Sequence, residues 1–173
     1  LTAAPNAVLN GTTDISVVLQ ADGFIDLTAG IVRGGSNLAS FSTANGAIDL
    51  NTDVGNLSAQ SFDQGGVTVT EADDLTIAGD GVLSTEADVS ITLSSGDLTI
   101  DSGGIIAGQL SDVTLNVSGG AINSVDNLSP GNFGIVTGKT LTFTAQNASS
   151  INTSVSEITG AVTGVNESLT IHE

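Results

Sequence analysis

The property that most limits what this chain can fold into is that it repeats itself. Ala21-Asp22-Gly23-Phe24-Ile25-Asp26-Leu27 returns as Ala44-Asn45-Gly46-Ala47-Ile48-Asp49-Leu50, an offset of 23 residues. Leu75-Thr76-Ile77 returns as Leu98-Thr99-Ile100, and Gly81-Val82-Leu83 as Gly104-Ile105-Ile106, at the same offset. Ile91-Thr92-Leu93 is answered by Val113-Thr114-Leu115, one residue sooner. A repeat of this length is one supersecondary unit that cannot bury its apolar side alone and has to stack on its neighbours.

Inside the repeats a second pattern runs with period two. The triplet apolar-Thr-apolar occurs at Val67-Thr68-Val69, Leu75-Thr76-Ile77, Ile91-Thr92-Leu93, Leu98-Thr99-Ile100, Val113-Thr114-Leu115, Leu141-Thr142-Phe143 and Leu169-Thr170-Ile171. Alternation of this kind places apolar residues on one face of a strand and Thr on the other. Gly- or Asp-rich turns separate the strands, among them Gly34-Gly35, Gly65-Gly66, Asp73-Asp74, Gly79-Asp80-Gly81, Ser95-Gly96-Asp97, Gly103-Gly104 and Gly119-Gly120. Such residues supply positive φ and local side-chain bonds to the backbone. No stretch of useful length has the period of a helix.

An antiparallel sandwich also has many short strands, but it does not require them to return in register with the same flanking turns. A solenoid does. The expected fold is therefore all-β, a parallel β-helix of about seven coils of roughly 23 residues, some 35 Å of rod at the spacing of neighbouring strands. The whole of 1–173 is expected to form one such domain. Residues 1–14 read as an irregular start and 126–138, around Asn127-Leu128-Ser129-Pro130-Gly131-Asn132, as a loop protruding between coils. Candidate core residues are Ile25, Leu27, Ile48, Leu50, Val67, Val69, Leu75, Ile77, Ile91, Leu93, Leu98, Ile100, Val113, Leu115, Leu141 and Phe143.

Gly46-Ala47-Ile48-Asp49-Leu50, Gly96-Asp97-Leu98-Thr99-Ile100, Ser118-Gly119-Gly120-Ala121-Ile122 and Ile25-Asp26-Leu27-Thr28-Ala29-Gly30 resemble the repeats of filamentous-haemagglutinin-type adhesins and related autotransporter passengers. The resemblance covers most of residues 15–125. It implies a right-handed parallel β-helix, export across an outer membrane, a secreted or cell-surface location and a role as an adhesive stalk. The amino-terminal secretion domain of that family is not found. The absence of Cys suits a chain that threads a pore, since it cannot crosslink on the way.

Charge narrows the partners. The formal net charge is −17, with only Arg33 and Lys139 positive. Nucleic acid, which needs clustered Lys and Arg, is a poor partner, and so is an anionic membrane surface. No stretch approaches the roughly 20 apolar residues of a membrane span. There is no basic-then-apolar leader, and the start Leu1-Thr2-Ala3 reads as that of a processed or excised piece. Neither end carries a helix or a charged, strand-blocking segment, so flanking segments or other copies of the same protein are expected to stack end to end. Cell-surface or matrix glycans are the other partners this reading allows.

No enzyme is expected. The only histidine, His172, is next to the last residue, and Arg33 and Lys139 read as exposed turn residues. Asp73 and Asp74 are adjacent, which in a turn favours local caps over a paired-carboxylate site. Neither Trp nor Tyr is present to make a sugar platform. Gly134-Ile135-Val136-Thr137-Gly138-Lys139-Thr140 resembles a phosphate-binding loop but has three residues between its glycines where the motif needs four, and a strand pattern follows it.

No cofactor is expected, with calcium the weak exception. Asp22 and Asn45 would stack at equivalent positions, as would Asp26 and Asp49, and stacked carboxylates about 5 Å apart repel unless a hard cation relieves them. Water or turn capping would serve equally. Seven sites fit the N-glycosylation pattern: Asn10, Asn56, Asn116, Asn127, Asn147, Asn152 and Asn166. The Thr residues allow an ice-binding array, but one that reads as a single Thr wide in most coils. The expected function is an extracellular structural or adhesive rod. The alternatives are a self-assembling filament subunit, a carbohydrate- or ice-binding solenoid and, last, a polysaccharide-active β-helix.

Overall fold

The computed structural model describes residues 1–4, 7–10, 16–125 and 134–173. It is all-β, with no helix among the described residues, and forms a parallel β-solenoid of about seven turns. Every strand pairing among the described residues is parallel, so each strand lies beside a counterpart one coil away and none of these pairings is a hairpin.

The coils build up as follows. β1 (Val8–Asn10) and β2 (Val18–Ala21) belong to the first. The second contains β3 (Ile25–Asp26), β4 (Ile31–Arg33) and β5 (Leu38–Thr43), and the third β6 (Ile48–Asp53) and β7 (Asn56–Ser61). Next come β8 (Val67–Glu71) with β9 (Leu75–Ser84), then β10 (Val89–Leu93), β11 (Leu98–Ile100) and β12 (Ile105–Ile106). β13 (Asp112–Val117) and β14 (Ile122–Ser124) precede the long strands β15 (Ile135–Ala145) and β16 (Ser149–Val162), and β17 (Leu169–His172) ends the stack. One continuous ladder runs β6–β8–β10–β13–β15–β16, and the apolar-Thr-apolar triplets of residues 67–69, 91–93, 113–115 and 141–143 lie along it.

Period two does the sorting. In β8 and β10 the burial alternates strictly, with Val67, Val69, Val89, Ile91 and Leu93 inside. All sixteen candidate core residues are buried. Each fully buried Val, Leu or Ile contributes about 1.5–3 kcal/mol from apolar surface removed from water. The backbone at the corners is satisfied coil to coil: the Leu75 amide donates to the Asp97 carbonyl (3.0 Å), Leu98 to Ala121 (2.9 Å) and Ser94 to Glu71 (2.9 Å).

Three expectations are corrected in detail. The offset between stacked residues is not fixed near 23. It is 17 between β15 and β16, 18 between β5 and β7, and 31 between Ile105 and Val136. Strands stay in register because the corners absorb the difference. Second, residues 1–14 are not wholly irregular: Val8–Asn10 pairs with Ile31–Arg33, and Thr2 bridges to Asp26. Third, of the expected loop 126–138, residues 126–133 lie outside the described residues, and from Ile135 onward the chain is strand β15, paired on both sides. Lys139 is thus a strand residue, and Arg33 ends β4.

Glycine is required where two coils meet at a corner. Gly81 (φ +77°) and Gly103 (φ +82°) adopt a conformation that a side chain disfavours, and each occupies the space where a Cβ on the other would go: from Gly81 that atom would lie 2.5 Å from the Gly103 carbonyl carbon. The pairing explains why both copies of the turn keep glycine.

Candidate functional site

Two surface features stand out once the coils are stacked: an acidic corner and a face of outward hydroxyls.

The acidic corner is built on Glu71, the last residue of β8. Alternation from Val67 and Val69 points it inward, into a ladder whose other members include Thr52, Leu93, Val117 and Ala145. It is fully buried. Its carboxylate accepts hydrogen bonds from the Val54 amide (3.3 and 3.2 Å, one to each oxygen) and the Ala72 amide (2.7 Å). Burial pushes the Glu71 carboxyl up from its ordinary value, and the bonds from Thr52 and the backbone amides offset part of that rise. Asp53 and Asp73 bring carboxylate oxygens within 4.8 Å of it and of one another. Arg33 donates to Asp53 at 3.2 Å across a half-exposed pair worth at most about 1 kcal/mol. A hard divalent cation takes six to eight oxygens. Here Glu71 is committed to backbone amides and Asp53 to Arg33, so the corner is held by the protein's own bonds. Parity along Val67-Thr68-Val69-Thr70-Glu71 was the signal that could have placed Glu71 inside.

The residues expected to hold calcium are brought together in pairs. The Asn45 side-chain amide donates to the Asp22 carboxylate at 3.1 Å, so this stack balances itself. Asp26 and Asp49 are register partners, and Asp26 accepts bonds from the Thr28 amide (3.1 Å) and hydroxyl (2.7 Å), which hold its carboxyl below its ordinary value. Neither pair is joined by a third carboxylate among the described residues.

Elsewhere Asp residues tie one coil to the next. Asp74 accepts the Asp97 amide, Asp97 accepts the Ala121 amide and Asp88 accepts the Asp112 amide, each at 2.8 Å. Asp74 was expected to cap its own turn; its carboxylate instead accepts the amide of Asp97, 23 residues on in the stacked coil. Much of the acidity therefore has a structural use at the corners.

Of the glycosylation candidates, Asn10, Asn116, Asn147 and Asn166 are exposed. Asn56 is half-buried and its amide donates to the Ser36 carbonyl, and Asn152 is half-buried. Asn127 lies outside the described residues. His172 is exposed on β17.

The hydroxyl face is the outward side of the β8–β10–β13–β15 ladder. Thr68, Ser90, Thr114 and Thr142 are register partners in one column, and Thr70, Thr92, Asn116 and Thr144 form a second beside it. The array is thus two side chains wide over four rungs, not one. The second column was hidden in the sequence because Ser90 and Asn116 stand in it or beside it only once register is known. No charged residue interrupts these columns. Asp88 and Asp112 border one side, and Asp49 precedes the first rung. None of the eight side chains hydrogen-bonds to another described residue, whereas inward hydroxyls such as Ser58, Ser61 and Ser84 all do.

Near the first coil Leu1, Leu9, Leu19, Leu27 and Val32 line an apolar recess continuous with the core. No protein-family model, curated protein or solved structure matches the chain.

Proposed function

We propose that the chain is a structural rod, a segment of a secreted or cell-surface adhesin or matrix fibre whose task is reach, stiffness and display. The observation that supports this most is the uninterrupted interior: inward residues from Ile25 to Ile151 form one buried cluster that runs through successive coils without a break. Such a stack resists bending, since any bend must open both the core ladder and the coil-to-coil backbone bonds. The resemblance of Gly46-Ala47-Ile48-Asp49-Leu50 and its counterparts to adhesin repeats supports the extracellular setting, and the acidity keeps like rods apart.

Negative-stain electron microscopy over a range of protein concentrations tests the reading. Rods of constant width whose length matches about seven coils are expected. Filaments that lengthen with concentration would favour the self-assembling subunit. Compact globular particles would contradict the rod.

A further inference from the structure

We infer that the hydroxyl face of the β8–β10–β13–β15 ladder is an adsorption surface for ice. The inference goes beyond the rod reading and uses it only for stiffness.

In a chain of net charge −17 the two columns carry no charge over four rungs, so their partner is not selected by ionic attraction. They carry no aromatic ring either, which leaves sugar rings without a stacking platform. What they offer is chiefly hydroxyl and methyl groups, from six Thr, with Ser90 and Asn116 at the other two of the eight positions.

Periodicity comes next. Parallel strands repeat at about 4.8 Å along the stack, and alternate residues of a strand at about 6.6 Å across it. The face therefore repeats regularly in two directions. A single soluble molecule cannot use such a lattice fully, but a solid with repeats of the same order can. In ice the oxygen rows of the faces parallel to the long crystal axis have spacings of this order in both directions. Thr hydroxyls can take lattice positions of water oxygens while the methyl groups between them favour ordered water.

Rigidity is the third element. Thr is stiff about χ1, and the residues between the outward positions, Val69, Ile91, Leu115 and Phe143, are buried in the core. The array is set before it meets a ligand, which lowers the ordering cost of binding. Among the described residues the hydroxyls also have no protein partner to give up.

The test is thermal hysteresis, ice shaping and partition into a growing ice front, measured on the unaltered chain and two variants. Thr92→Lys places a charge in the middle of the array. Thr99→Lys makes the same change on β11, which belongs to a different ladder. The expected result is activity in the unaltered chain and in Thr99→Lys, and its loss in Thr92→Lys with an unchanged melting curve. No activity in the unaltered chain would overturn the inference, as would equal loss in both variants. Binding to crystalline cellulose or chitin without any effect on ice would overturn it too, and would give the face to a polysaccharide. Rod shape in the microscope is independent of all these outcomes, so the two readings fail separately.

Discussion

Ile100→Asp is expected to cost about 4 kcal/mol or more and to leave the protein largely unfolded at temperatures where the unaltered chain is folded. Ile100 is fully buried in β11, with Ile77 and Ser124 as its register partners on the two neighbouring coils. A carboxylate there has no cation within the core to pair with; on one side it meets Ile77, and on the other Ser124, whose hydroxyl oxygen already accepts the Asn152 amide. Because each coil contacts chiefly its neighbours, the damage spreads in both directions along the stack. Thr99→Asp, one residue earlier and facing outward, is the control and should change stability by about 0.5 kcal/mol or less. Urea denaturation followed by circular dichroism checks both. Equal stability of Ile100→Asp and the unaltered chain would show that the interior ladder is assigned to the wrong face.

Glu71 is the site of the second large effect. Glu71→Ala removes the acceptor of the buried Val54 amide and leaves a void in the ladder, for an expected loss of about 2–4 kcal/mol. Glu71→Gln keeps the shape and an acceptor and should cost less. The two differ from the unaltered chain in pH dependence as well. Burial raises the carboxyl in the folded state, so between the ordinary carboxylate value and the raised one the folded chain holds a proton that the unfolded chain has lost. The stabilisation is fully present below the unfolded value and is lost as pH rises through the folded one. Moving from neutral to mildly acidic pH should therefore stabilise the protein, and relief of repulsion among the remaining acids acts in the same direction. Asp26, held low by Thr28, acts oppositely and only at more acidic pH. The gain on acidification should be smaller in Glu71→Gln. An identical gain in both would mean that Glu71 is not the buried acid responsible.

The interior of this solenoid was legible wherever an apolar residue alternates with Thr or Asp. Ile25, Leu50, Val69, Ile91 and Leu115 could be placed inside from their spacing alone. Less legible were strands such as Leu38-Ala39-Ser40-Phe41-Ser42-Thr43, whose inward positions include Ala39 and Thr43. A buried hydroxyl looks like a surface residue until the carbonyl that accepts its proton is known, and for Thr43 and Ser61 that carbonyl is Gly46, in the turn that follows β5. The same holds for the sites. Asp22 with Asn45 followed from the repeat, while Glu71 with Asp53 and Asp73 depends on how β6 and β8 align, which the changing coil length conceals. The width of the hydroxyl face was missed for this reason: Thr92 and Asn116 become neighbours only through a pairing of β10 with β13 that no local pattern marks.

Parallel, in-register pairing of coils underlies the rod, the acidic corner and the hydroxyl face alike, and β8 and β10 allow it to be measured directly. The chain has no Cys, so pairs of nitroxide labels can be placed cleanly on outward positions. Parallel register puts Thr70 beside Thr92 and Thr68 beside Ser90. A hairpin would instead put Thr68 beside Thr92 and Thr70 beside Ser90. Electron paramagnetic resonance of Thr70→Cys with Thr92→Cys should show strong spin–spin broadening, as expected for labels on strands about 4.8 Å apart. Thr68→Cys with Thr92→Cys should show clearly less. The reverse order would contradict the solenoid and everything built on it.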